Sequence, residues 1–231
     1  MYSDNLIVIT GASRGIGKYL FNWFTCEGDN VVGIFKTTMP DSNVKFMHKV
    51  DITIPGQIYT FIEKIKPDLR NVILINCASI NYNCFAHKAN IQKWIQVLNV
   101  NLVGTFNMIN AFLPYMREQN YGRIINLSSV VAQIGIPGTS AYAASKSGLW
   151  GLTKAISMEN ASKGITINNL NLGYFQIGMI DEVPLELQNQ IKSKIPSGKF
   201  GDPQDILTAI KYLIDSPYVT GANIDINGGL L

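Results

Sequence analysis

Leu6-Ile7-Val8-Ile9-Thr10-Gly11-Ala12-Ser13-Arg14-Gly15-Ile16-Gly17 is the stretch on which the reading of this chain turns. A short apolar run, three of its four residues β-branched, stops at a turn punctuated by three glycines. Such a run reads as a strand buried on both faces. Tyr19-Leu20-Phe21-Asn22-Trp23-Phe24 then reads as a helix. Gly11 permits a tight turn, Gly15 lets the backbone approach a ligand, and Gly17 lets the helix pack closely on the strand. The helix start offers free N–H groups and the positive end of its dipole to an anion. Strand, glycine turn and helix in this order predict a site for the pyrophosphate of a dinucleotide.

Outward from that turn, apolar strand patterns alternate with helical ones to the end of the chain. Strands are expected over 6–10, 30–35, 45–49, 72–76, 122–127, 166–172 and 223–226. Helices are expected after Gly15, Thr53, Asn90, Ser140 and Asp202. Alternation of this kind predicts parallel strands joined by crossover helices on both faces, a doubly wound α/β sheet of about seven strands. Pro55 suits the first turn of its helix, and Asp202-Pro203 reads as an N-cap followed by proline at the first helical position. No linker or repeat divides the 231 residues, so one domain is expected. Residues 173–201 break the rhythm. Tyr174, Phe175, Met179, Ile180, Leu185, Leu187 and Ile191 there suggest a lid over a cleft.

Composition narrows the function. Charged residues make up only 15% and the net charge is +3, too little to argue for nucleic acid. No apolar run reaches the ~18–20 residues of a membrane span. Met1-Tyr2-Ser3-Asp4-Asn5 leads straight into the first strand, so a cytoplasmic protein is expected. Cys26, Cys77 and Cys84 are odd in number and lack metal-ligand spacing, which reads as reduced thiols and no metal.

Chemistry enters with Tyr142 and Lys146. Four residues apart on one helix, they share a face and can point into one cleft. A lysine cation beside a phenol favours the phenolate and is expected to lower its pKa from near ~10. Tyrosine tuned in this way exchanges a proton with a carbonyl oxygen, and Ser129, one loop upstream, can hydrogen-bond the same oxygen.

Together these segments resemble the short-chain dehydrogenase/reductase family over nearly the whole chain. Thr10-Gly11-x-x-x-Gly15-x-Gly17 has that family's glycine spacing. Asn76-Cys77-Ala78-Ser79 stands where the family has Asn-Asn-Ala-Gly. Thr220-Gly221 through Gly228-Gly229 looks like its last strand and glycine pair. The resemblance implies catalytic roles for Ser129, Tyr142 and Lys146, and a proton-relay role for Asn101. It implies cofactor contacts at Gly11, Ser13, Arg14, Gly15, Ile16, Gly17, Lys36, Asp51, Asn76, Ala78, Tyr142, Lys146 and Gly173. Asp51 would meet the adenine, and Lys146 the nicotinamide ribose. Departures fall at Cys77, at Ser79 for glycine, at Leu172 for proline and at Ile177 for threonine; they touch cofactor positioning and spare the proton-transfer residues.

No Asp or Glu occurs from Val31 to Pro40, whereas Arg14 and Lys36 flank the end of the second strand. An acid there would accept from the ribose hydroxyls of NAD; two cations suit a 2′-phosphate, so NADPH is expected over NADH. The general pattern is similar to 3-oxoacyl-carrier-protein reductases, and a ketone or acyl thioester is the expected substrate. A rival reading is a non-catalytic dinucleotide-binding sensor or subunit on the same fold. A homotetramer is expected, with Ile91, Trp94, Ile95 and Leu98 on one helix and Leu149, Leu152 and Ile156 on another as candidate contacts.

Overall fold

The computed structural model describes residues 2–38, 44–178, 180 and 183–231. The Met179 side of the expected lid lies outside them. Seven strands form a single parallel sheet: β1 (Leu6–Thr10), β2 (Asn30–Phe35), β3 (Met47–Lys49), β4 (Ile73–Asn76), β5 (Gly122–Ser129), β6 (Ile165–Leu172) and β7 (Asn223–Ile226). Their order across the sheet is β3-β2-β1-β4-β5-β6-β7, so strand order reverses between β1 and β4. That switch point is where open α/β sheets bind ligands. The chain therefore has the doubly wound Rossmann-type fold that the alternation predicts.

Helices cover both faces. α2 (Pro55–Ile65), α4 (Thr105–Gln119) and α5 (Ser140–Asn160) pack on one side, and α1 (Gly15–Cys26) and α7 (Pro203–Asp215) on the other. Alternate strand residues serve the two cores. Val8, Leu74, Ile124 and Ile167 face the first, while Ile7, Ile9, Ile73, Ile75 and Ile125 face the second, all essentially inaccessible. Asp202 caps α7 by accepting from Gln204 N at 2.8 Å and forms a capping box with Asp205, as the Asp-Pro signal foretells.

Beyond shifts of one or two residues at the ends of β4, β5 and β6, two elements differ from the pattern. Only Met47–Lys49 of the expected 45–49 strand pairs with β2, because Val44–Phe46 turn as a 3-10 helix at the sheet edge. The helix expected after Asn90 is α3 (Ile91–Leu98), and it runs into α4 through a π-helical turn at Asn99–Gly104. Such turns mark functional positions in helices, and Asn101 is at the centre of this one.

A row of amides crosses the sheet from the last residue of β4 to the first of β7, its first three members buried. Asn76, Asn126, Asn169 and Asn223 stand side by side on β4 to β7. Asn76 Nδ2 donates to Asn126 Oδ1 at 2.9 Å. Asn126 Nδ2 donates to Asn169 Oδ1 and to Thr153 Oγ1, each at 3.2 Å. Asn169 Nδ2 continues to Asn223 Oδ1 at 2.7 Å. Hydrogen bonds satisfied within one another are what permit polar side chains in such a core. Truncating Asn126 to alanine would leave Asn76 Nδ2 without its acceptor, at about 1–3 kcal/mol, while Asn169 Oδ1 keeps its bond from Thr153 Oγ1. We expect Asn126→Ala to lower the urea midpoint markedly; an unchanged midpoint would show that the row contributes nothing to stability.

Candidate active site

The site lies along the C-terminal edge of β1, β4 and β5. Gly11 and Gly15 adopt positive φ, 68° and 52°, a region open to glycine at no steric cost. A Cβ on Gly11 would come within 2.9 Å of Ala78 Cα, and one on Gly17 would collide with Gly11 O. The turn is therefore drawn as tightly as its glycines allow against both the start of α1 and the loop after β4. Arg14 occupies the N-cap position in extended backbone. Ser13 is buried, and Ile16 packs against the core beneath. A narrow backbone cradle at a helix N-terminus, at the switch point, fits the diphosphate of a dinucleotide.

The loop after β4 is held from two sides. Thr10 Oγ1 accepts from Cys77 N and Ala78 N, each at 3.1 Å. Asn101 then grips Ile80: its Oδ1 accepts from Ile80 N at 2.8 Å and its Nδ2 donates to Ile80 O at 2.9 Å. The same Nδ2 donates to Ser145 Oγ at 3.1 Å, and Ser145 Oγ donates to Tyr142 O at 2.7 Å. Asn101 thus joins the switch-point loop to the helix that carries Tyr142 and Lys146. Both its amide donors are committed to protein, so any water it holds must use a remaining lone pair. Neither Thr10 nor Ser145 was singled out by sequence, although both stand inside motifs that were.

Ser129 ends β5, its Oγ accepting from Val131 N at 3.2 Å. Tyr142 and Lys146 lie on the first turns of α5. Lys146 is 4% exposed, and its Nζ donates to Leu127 O at 2.6 Å and sits 5.5 Å from the Tyr142 ring centre. Tyr142 is half-buried. Burial raises its pKa, and the Ser79 and Ser129 hydroxyls pull it back in part. This corrects the expectation that Lys146 would lower it. The ammonium is anchored on a backbone carbonyl, and burial pushes its own pKa down to about 8, against the opposing pull of Cys77. In return burial pushes the Cys77 thiol up to about 12, with Lys146 opposing.

The remaining residues are more scattered. Lys36 Nζ forms an ion pair with Asp51 Oδ2 at 2.7 Å. Asp51 Oδ1 also accepts from Thr53 N at 3.0 Å and Thr53 Oγ1 at 2.7 Å. Burial alone would raise the Asp51 pKa, but its bonds to Lys36 and Thr53 outweigh it and the net shift is downward. Beside this pair a cavity of about 470 Å³ opens towards Gln92, Ile95, Asn99 and Val100. Asn76 turns its amide into the buried row, and Oδ1 has no partner among the described residues. Gly173 donates to Ile226 O at 2.9 Å, and a Cβ there would meet Asn227 Cα at 2.7 Å.

The described residues of the 173–201 segment fold back on themselves beyond β6. Phe175 bridges Gly201, and Gly201 N donates to Tyr174 O at 2.9 Å, closing the two ends. Ile180, Ile195 and Phe200 form a small core of their own, and α6 (Leu185–Lys194) rides outside it with Leu185 and Leu187 exposed. Gly178 lies against the Gly15 turn.

A parallel doubly wound sheet with a glycine turn at its switch point defines a dinucleotide-binding protein. The short chain dehydrogenase family profile matches residues 5–187. Over 237 aligned residues the chain is 37% identical to the 3-oxoacyl-(acyl-carrier-protein) reductase of Thermotoga maritima, covering 97% of this chain and 96% of that protein. It is 34% identical to the acetoacetyl-CoA reductase of Rhizobium meliloti, with 98% of each covered. It is 30% identical to the 3-oxoacyl-(acyl-carrier-protein) reductase of Haemophilus influenzae, with 97% of each covered. The chain belongs to the short-chain dehydrogenase family and is an NAD(P)-dependent oxidoreductase. No helix among the described residues is long and apolar enough to cross a membrane.

Proposed function

We propose that this protein reduces a ketone, as a 3-oxoacyl thioester or another small carbonyl compound, to a secondary alcohol with NADPH. The observation that carries the reading is the convergence of Ser129, Tyr142 and Lys146 at the end of β5, beside the glycine turn. The relatives named for 3-oxoacyl and acetoacetyl thioester reduction support the substrate class.

The bound dinucleotide supplies the hydride. The turn from Gly11 to Gly17 and the start of α1 would hold its diphosphate. Asp51 and the cavity beside it would take the adenine end. Arg14 and Lys36 would receive the 2′-phosphate, Lys36 exchanging the Asp51 carboxylate for it. Ser129 hydrogen-bonds the substrate oxygen, and Tyr142 gives that oxygen its proton as the hydride reaches carbon. The phenol keeps its proton at neutral pH, and the Ser79 and Ser129 hydroxyls, which pull its pKa back down against burial, favour its release to the substrate. Lys146, held by Leu127 O, would meet the nicotinamide ribose. The segment 173–201 would close over the substrate as a lid.

A homotetramer is part of the same proposal, with one correction to its surface. Leu149 and Ile156 are 1% and 3% exposed and face the protein's own sheet, because that face of α5 must cover β5 and β6. Ile91 and Phe106 remain as exposed apolar candidates on α3 and α4, whereas Ile95 and Val103, also exposed, line the cavity given to the adenine end.

Three measurements bear on these statements. Tyr142→Phe removes the transferable proton and should cost ~10²–10⁴-fold in turnover while NADPH binding stays near the parent value; a variant with most of its turnover would defeat the assignment. Arg14→Ala should raise the Michaelis constant for NADPH roughly ten- to a hundredfold, the equivalent of a charge-assisted hydrogen bond of ~1.5–3 kcal/mol, and leave NADH nearly untouched. Equal losses would mean that Arg14 does not read the phosphate. Light scattering at micromolar concentration should give a tetramer mass, and a monomer mass would remove the oligomer from the proposal.

A further inference from the structure

Ser79 stands in the loop after β4, at the position where the sequence departs from glycine. Its Oγ is buried and has no hydrogen-bond partner among the described residues. It nevertheless lies close enough to the Tyr142 hydroxyl to bear on the phenol. The loop leaves it little freedom to find another partner. Thr10 Oγ1 fixes Cys77 and Ala78 on one side of it, and Asn101 holds both backbone groups of Ile80 on the other. A buried hydroxyl without a partner costs stability, whereas alanine or glycine would carry no such cost. The hydroxyl gains a strong partner when the oxygen beside it becomes an anion.

We propose that Ser79 is a second hydroxyl at the reacting centre, donating a hydrogen bond to the phenolic oxygen of Tyr142 as that oxygen gives its proton to the substrate, with Asn101 holding it in place through Ile80. This rests on the reading of Tyr142 as the general acid. The electron and proton count is simple. Hydride adds to the carbonyl carbon, the C=O π pair takes the Tyr142 proton, and Tyr142 is left as phenolate. Ser79 keeps its own proton throughout and only shares it. Ser129 is then free to serve the substrate oxygen, which divides the work between two hydroxyls approaching from β5 and from the loop after β4. The ionisable neighbours are Lys146, on the same helix and anchored to Leu127 O, and Cys77, two residues before Ser79 and held as a neutral thiol by burial. Neither supplies the hydrogen bond that a phenolate at this position needs.

Two readouts test the proposal with the full-length protein. The first is the pH dependence of kcat/KM in both directions. Reduction needs the protonated phenol and declines as pH rises through its pKa, while oxidation of the alcohol needs the phenolate and rises through the same pKa. Losing a donor to the phenolate raises that pKa. Ser79→Ala and Ser79→Gly should therefore move both limbs to higher pH by about one unit, a loss of about 1.4 kcal/mol of phenolate stabilisation. The KM for NADPH should hold, kcat for reduction should fall about tenfold, and Ser79→Thr should return the limbs towards the parent position. The second is an ultraviolet tyrosinate titration of the cofactor-free protein, taken as the difference between each protein and its Tyr142→Phe counterpart. It isolates the Tyr142 step without any need for turnover, and that step too should move up in the Ser79→Ala background. Limbs and titration unmoved in both Ser79 variants would overturn the role of Ser79 while leaving the reductase standing. A parent enzyme inactive on every ketone, with its titration still sensitive to Ser79, would uphold the contact and reject the reductase reading.

Discussion

Thr10 Oγ1, accepting from the backbone N–H groups of Cys77 and Ala78, ties the ends of β1 and β4 together where the strand order reverses. The rest of the site is built outward from that tie. A sheet that splits its crossovers at β1 leaves a crevice there, and the crevice is useful only if its two walls stay in register. Gly11 lets the walls approach until its own Cα faces Ala78 with no room for a methyl group. With the loop held at 77–78 by Thr10 and at 80 by Asn101, residue 79 projects from a rigid bracket. The same Asn101 amide reaches Ser145 on α5, so the bracket also fixes the distance between the loop and Tyr142. Preorganisation of this kind lets a site favour charge as it develops, without moving to meet it.

Below the bracket, the sheet accepts an unusual amount of polarity. The amides of Asn76, Asn126, Asn169 and Asn223 are linked one to the next along a single rung, and one turn of α5 adds Thr153 to the chain. Lys146 is a buried cation whose Nζ donates to Leu127 O, while Ser128 Oγ donates to the Lys146 carbonyl. Burial lowers the pKa of that ammonium to about 8, because the charge must give up its water, and only Cys77 opposes the shift.

Much of this was legible in the residues, and the illegible part has a physical cause. The bounds of β1, β2 and β7 follow directly from apolar runs that end at turn residues, and the starts of α2 and α7 from Pro55, Asp202 and Pro203. Edge strand β3 came out shorter than its pattern because Phe46 has no second neighbour to cover it. The π turn left no mark beyond Gly104, whose Cβ would meet Ile52 at 2.8 Å, and periodicity cannot resolve one inserted residue in a helix. Site residues were readable wherever spacing along one helix sets geometry, as with Tyr142 and Lys146. Pairings across the fold were not readable. The ion pair of Lys36 with Asp51, the reach of Asn101 to Ile80 and the meeting of Ser79 with Tyr142 each join segments that only the closed sheet brings together.

The direction of the Tyr142 shift shows why residue types alone mislead about electrostatics. A lysine four residues along a helix invites a Coulombic argument, and that argument treats the pair as though both groups stood in the same medium. Here the medium acts on each separately and more strongly than they act on one another. Burial disfavours the phenolate and the ammonium alike, because either charge must give up its water. Hydrogen bonds from neutral hydroxyls then recover part of what desolvation takes, and they do so without a second charge that would itself need solvating. Two serines placed by two different elements therefore tune the phenol more directly than the cation on its own helix does.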